Sequence, residues 1–174
     1  MKKIKNNFGF TLAEMMVVIA ITGILSSMAL INFRTNEKQR QLRDSALLVT
    51  DGFKRLQSMA LSGDMVGGAM PISYNFYLNP ADCSQYILRA KLDEANYIAI
   101  GQTVKLINSN IKDCSNIGEV EIYPPRANME FLNFPSYDEI SLVVEYNGDG
   151  SSARTVKINK VSGRVDLGAQ MANP

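Results

Sequence analysis

Gly9-Phe10-Thr11-Leu12-Ala13-Glu14 sets a single carboxylate at the mouth of an apolar run that carries no charge from Met15 to Phe33. As a helix those residues span about 28 Å at about 1.5 Å per residue. A bilayer's hydrocarbon core is roughly 30 Å thick. A carboxylate at the edge of such a segment is costly unless something partners it. Two chemistries suit Glu14. Thr11 and Glu14 have the Thr-x-x-Glu spacing of a capping box, in which each side chain satisfies the other's backbone N–H. Glu14 is also the only anion in reach of any cation brought into this apolar stretch. Further along, Cys83 and Cys114 are the only thiols, and Arg154, Lys157, Lys160 and Arg164 gather four cations near the end of the chain.

The opening order, with Lys2, Lys3 and Lys5 before the glycine, resembles the leader of type IV prepilins and type II secretion pseudopilins. The resemblance covers about the first 35 residues. It implies cleavage by a membrane-embedded prepilin peptidase between Gly9 and Phe10, and N-methylation of Phe10. It further implies that Glu14 pairs with the N-terminal amine of a neighbouring subunit during filament assembly. The chemistry agrees, because a new α-amine with a pKa near 8 is largely cationic at neutral pH and needs an anion in an apolar bundle. The family commonly carries a proline further along the mature helix, where Ile31 stands here.

Other accounts of the leader fit less well. A secretory signal peptide has a shorter apolar region followed by a small-residue cleavage site, whereas Arg34-Thr35-Asn36-Glu37-Lys38 follows this one. A plain single-span anchor explains the length and the lysines but not the Gly-Phe-Thr-Leu-x-Glu order. Basic residues flank both ends, so charge bias gives little orientation; the resemblance places the leader in the cytoplasm.

Past Arg34 the pattern turns amphipathic. Leu42, Ala46, Val49, Phe53, Leu56 and Ala60 recur at steps of four and three, one face of a helix. The spacing predicts one helix from Thr11 to Ser62, about 80 Å long, stopped by Gly63 with Gly67-Gly68. After Gly68 the period becomes two. Strands are expected at Ile72–Leu78, Tyr86–Leu92, Tyr97–Leu106, Glu119–Tyr123, Ile140–Tyr146, Thr155–Asn159 and Arg164–Leu167. Asn147-Gly148-Asp149-Gly150 and Val161-Ser162-Gly163-Arg164 read as hairpin turns. The first of these has too few carboxylates for a calcium loop. The expected fold is α+β and pilin-like: a long N-terminal helix, its first half membrane-embedded, packed through its second half on an antiparallel sheet. The expected divisions are a leader at 1–9, a transmembrane or filament-core helix half at 10–33, an amphipathic half at 34–63 and a globular β-rich domain at 64–174. The layout, with the closing Arg154-Thr155-Val156-Lys157-Ile158 and Ser162-Gly163-Arg164-Val165 hairpin, resembles the H-type minor pseudopilin and related minor pilins.

Cys83 and Cys114 favour a disulfide if the domain lies in an oxidising compartment. The bridge would tie the 79–85 loop to the 108–118 loop and contribute roughly 3–4 kcal/mol by constraining the unfolded chain. Arg154, Lys157, Lys160 and Arg164 raise the alternative of a DNA-binding minor pilin. Against it, Arg154 and Lys157 point to opposite faces of a strand, and lysines routinely protect strand edges.

The 174 residues carry a formal net charge of +1, which becomes −2 once Lys2, Lys3 and Lys5 leave. A near-neutral chain has no general drive toward nucleic acid. It contains no histidine, and with no G-x-S-x-G or phosphate loop no enzyme and no cofactor or metal is expected. The expected partners are other pilin or pseudopilin subunits, the prepilin peptidase, an inner-membrane assembly platform and membrane lipid. The expected location is the inner membrane, then a periplasmic pseudopilus or an extracellular pilus. A single-span protein with no filament role is the remaining alternative.

Overall fold

The computed structural model describes residues 10–133, 136–147 and 152–172, without the side chains of 28–32, 35 and 169–172. The chain forms two units, Met1–Lys38 and Gln39–Pro174. The leader, residues 148–150 of the first expected turn and Ser151 lie outside the described residues.

Helix α1 runs from Leu12 to Ser62. It continues unbroken past Ile31, since no proline removes an N–H donor there. Gly63, at φ 68°, ends it: the N–H groups of Gly63 and Asp64 both donate to the Met59 carbonyl, at 3.0 and 3.1 Å. This left-handed stop is one a glycine adopts without strain. Gly67-Gly68 belongs instead to a tight turn of its own. Val66 and Ala69 exchange backbone hydrogen bonds of 2.9 and 3.2 Å across it, with φ of 63° and 82° at the two glycines, as a primed two-residue turn requires.

The rest of the second unit is two antiparallel sheets rather than the single sheet expected. The first contains β1 (Ser73–Leu78), β2 (Gln85–Lys91), β3 (Tyr97–Ala99), β4 (Val104–Lys105), β6 (Glu119–Tyr123) and β7 (Asn128–Phe131). Its order is β3-β2-β1-β6-β7, with β4 also pairing with β2. The second holds β5 (Ser109–Ile111), β8 (Glu139–Tyr146), β9 (Ser152–Asn159) and β10 (Val165–Ala172), in the order β10-β9-β8-β5. A short helix, α2 (Cys114–Ile117), follows β5. The expected strand over Tyr97–Leu106 is split into β3 and β4, with Gly101 between them at φ 82°, outside the extended region. The division into two sheets arises because β5 pairs with β8, across the intervening β6 and β7.

The stripe on α1 is fully buried: Leu42, Ala46, Val49, Phe53, Leu56 and Ala60. Phe53 stacks on Phe76 at 4.1 Å between ring centres, and Phe76 on Tyr86 at 4.5 Å. The Tyr86 hydroxyl donates to the Leu48 carbonyl at 2.6 Å. Beside it, Gly52 leaves room for the ring; a Cβ there would lie 3.0 Å from Tyr86. The second sheet is tied to the same helix by Gln57, whose amide donates to the Gly163 carbonyl in the β9–β10 turn. A disulfide joins Cys83, in the loop before β2, to Cys114 at the start of α2, with Cα atoms 5.7 Å apart. It links the first sheet to the segment leaving the second.

Two outcomes follow from this interface. Gly52→Ala gains about 1 kcal/mol in helix propensity. The net effect should still be a loss, because Tyr86 is held by stacking and its hydroxyl bond and overpacking costs about 1–3 kcal/mol; a lower Tm in thermal unfolding checks this. Burial, helped by the charge of Asp51, pushes the Tyr86 hydroxyl up to about 12. The folded state resists its ionisation while the unfolded chain ionises near pH 10. Stability should therefore be intact below pH 10 and fall by about 2 kcal/mol as pH rises to about 12. Alkaline titration of unfolding should show this fall, reduced in Tyr86→Phe.

Candidate assembly site

Thr11 caps α1 and Glu14 closes its first turn. The backbone N–H and the hydroxyl of Thr11 both donate to Glu14 Oε2 at 2.9 Å, and the Glu14 N–H donates to Thr11 Oγ1 at 3.2 Å. This is the reciprocal capping box that the spacing predicts. Among the described residues, Glu14 Oε1 accepts no hydrogen bond, which leaves one oxygen open to a further donor. Phe10, just before the cap, has an exposed side chain (79 %). Gly9 lies outside the described residues.

Every side chain from Leu12 to Ser27 is exposed in this unit. The large apolar ones between Met15 and Leu25 are 51–69 % exposed. Backbone groups inside a helix satisfy one another, so such a surface asks only for apolar cover. Contiguous apolar exposure on this scale marks a membrane or protein contact. Among the described residues no helix is long and apolar enough to cross a membrane. The expected span at 15–33 continues through residues 28–32, whose side chains lie outside the described residues.

The four basic residues near the end of the chain do not form one cationic face. Lys157 pairs with Glu139 at 3.6 Å and Arg164 with Asp166 at 2.6 Å. Arg154 is half-buried on the side of β9 that carries Val156 and Ile158, opposite Lys157.

One polar cluster was not singled out from the sequence. On the face of the first sheet away from α1, the Arg89 guanidinium lies 3.8 Å from the centre of the Tyr77 ring and 4.5 Å from that of Tyr97, and donates to Glu119 at 2.8 Å. Lys91 pairs with Glu121 at 3.4 Å, which raises the lysine's pKa. Ser73 donates to Asn75 at 3.0 Å, Asn75 donates to both Glu119 and Glu121, and Tyr123 donates to Glu121. Two cations and two anions balance, and the buried Asn75 and Glu121 are both hydrogen-bonded. The cluster is therefore a charge-balanced structural network in which Arg89 Nε is the one buried polar atom, among the described residues, that finds no partner. Strand alternation put these residues on one face; which of them meet was decided by the β1–β2 and β1–β6 registers.

Residues 4–30 match the family model described as the prokaryotic N-terminal methylation motif. No curated protein and no solved structure matches the chain. The matched stretch contains Gly9, Phe10, Thr11 and Glu14 and runs into the exposed apolar helix. This N-terminal motif is typical of type IV prepilins and pseudopilins, and here it stands ahead of a mixed α+β domain.

Proposed function

We propose that this protein is a structural subunit of a type IV pilus or type II secretion pseudopilus. It enters the inner membrane through residues 10–33, with its leader in the cytoplasm, is cut between Gly9 and Phe10 by prepilin peptidase, and is N-methylated on Phe10. An assembly platform then moves it from lipid into a filament, where the apolar helix halves bundle and shield one another from water. The role is structural rather than enzymatic. The observation that carries the reading is the capped, exposed apolar helix start inside a matched methylation motif. The disulfide supports an outer domain in an oxidising compartment. The helix-to-sheet order and the closing hairpin support a resemblance to the H-type minor pseudopilin and related minor pilins. No observation favours the DNA-binding alternative, since two of its four cations are already paired with carboxylates.

Glu14 sets the register between neighbours. Its Oε1 would accept the ammonium of an adjacent Phe10, the kind of specifying role for which a buried charge is best attested.

Intact mass and N-terminal sequence of the membrane-extracted protein test the reading. Methylated Phe10 as the first residue, only in cells with prepilin peptidase, is the expected result. An unprocessed start in both strains overturns it. Glu14→Ala should leave cleavage intact and sharply reduce filament yield; normal yield would remove the pairing role.

A further inference from the structure

Strand edges leave backbone hydrogen-bonding groups unused, and proteins blunt them by shortness or bulges. Here β3, β4 and β7 are 3, 2 and 4 residues long. β8 is different. Its 8 residues pair with β9 from Glu139 to Glu145, but on the other side β5 reaches only from Val144 to Tyr146. The last bond on that side runs from the Lys112 N–H to the Val143 carbonyl, at 2.8 Å. Antiparallel alternation turns the backbone groups of Ser141 and Glu139 to this same side. Among the described residues no backbone hydrogen bond meets them. They open on a cleft of about 360 Å³ that has Ile117 and Asn116 of α2 among its lining residues.

The opposite edge of the same sheet is β10, which among the described residues has no strand on its outer side. The Asn159 N–H donates to the Arg164 carbonyl at 2.9 Å, so Arg164 and Asp166 bond toward β9. Val165 and Leu167 therefore turn their backbone groups outward.

We propose that β10 of a second copy of this chain lies along the open half of β8, continuing the second sheet from subunit to subunit. The inference rests on the filament reading above. Three features of the chain agree on one pairing. The first is direction: two antiparallel steps separate β8 from β10, so copies in the same orientation bring them together in parallel.

The second is the face. Leu142 and Val144 on β8 and Val165 on β10 point to the core, which puts Ser141 and Asp166 on the outer face of their strands. A parallel ladder with Ser141 opposite Asp166 directs the Ser141 N–H to the Val165 carbonyl and the Leu167 N–H to the Ser141 carbonyl, and keeps both cores on one side. An antiparallel ladder between the same edges would invert one copy's core face.

The third is charge. That register sets Glu139 opposite Arg164, an attractive cross-strand pair. Their partners within the chain, Lys157 and Asp166, are exposed pairs that exchange at little cost. The bulge between Leu167 and Gln170 bends the incoming strand where Lys112 closes the edge. Contacts of this kind join two different surfaces, and repeated without closing into a ring they build an open array.

The test uses the full-length chain in its native membrane and filaments. Differently tagged Ser141→Cys and Asp166→Cys chains are co-expressed and mildly oxidised. The expected product is an adduct carrying both tags, absent when Glu130→Cys, on the first sheet, replaces Asp166→Cys. Ser141→Pro removes one outward N–H without touching the β9 ladder, and should lose filaments while Phe10 processing and Tm stay unchanged. Absence of the Ser141–Asp166 adduct overturns the pairing whatever happens at Phe10, as does an equal yield with Glu130→Cys. An adduct in cells where Phe10 is never exposed would leave the pairing standing and remove the filament reading.

Discussion

Phe53, Phe76 and Tyr86 stack across the joint between α1 and the first sheet, and Tyr86 fits there because position 52 carries no side chain. This contact fixes the helix against β1 and β2 at the centre of the stripe from Leu42 to Ala60. Much else hangs from it. The Tyr86 hydroxyl holds the Leu48 carbonyl, one helical turn before Gly52. Farther along the same helix, Gln57 reaches the β9–β10 turn and so places the second sheet. Burying aromatic rings of this size, with stacking added to the area removed from water, is the largest favourable term available to a domain this small.

The same helix meets a different requirement at its other end. From Leu12 to Ser27 every side chain is exposed within its own unit, and from Met15 to Leu25 all but Thr22 lack a polar group. Contiguous apolar exposure of this extent calls for apolar cover. The capping box at Thr11 and Glu14 satisfies the helix start without using Glu14 Oε1. The cap therefore leaves that second oxygen open to a further donor without any change in local structure.

The far face of the first sheet shows how charge is handled away from the helix. Arg89 and Lys91 are matched by Glu119 and Glu121, and three tyrosines close around them. An aromatic cage filled by the chain's own arginine has no vacancy for a foreign cation. Among the described residues, open backbone groups lie instead along the uncovered half of β8 and the outer side of β10.

Local pattern was enough for α1, from its cap at Thr11 to its stop at Gly63, for the stripe it buries, and for the N-terminal motif that the family model matches. A helix's period and its capping chemistry are written in residues three or four apart, so they are readable in order along the chain. Most of the strands β1, β2, β6, β8 and β9 were legible for the same reason. The number of sheets was not. β5 and β7 are too short to carry a period, and the pairing of β5 with β8 joins residues more than thirty positions apart. Gly52 reads in sequence as a weak helix residue; only the Tyr86 ring above it explains why it is there. The cysteines were legible as a pair, but only the fold shows that their bridge links the two sheets' connecting segments. The cations at 154, 157, 160 and 164 looked like one cluster in a row and became separate when strand faces and carboxylate neighbours were assigned. Tertiary structure decided those points because sheet register and long-range packing depend on which distant surfaces fit, and no local window contains both partners.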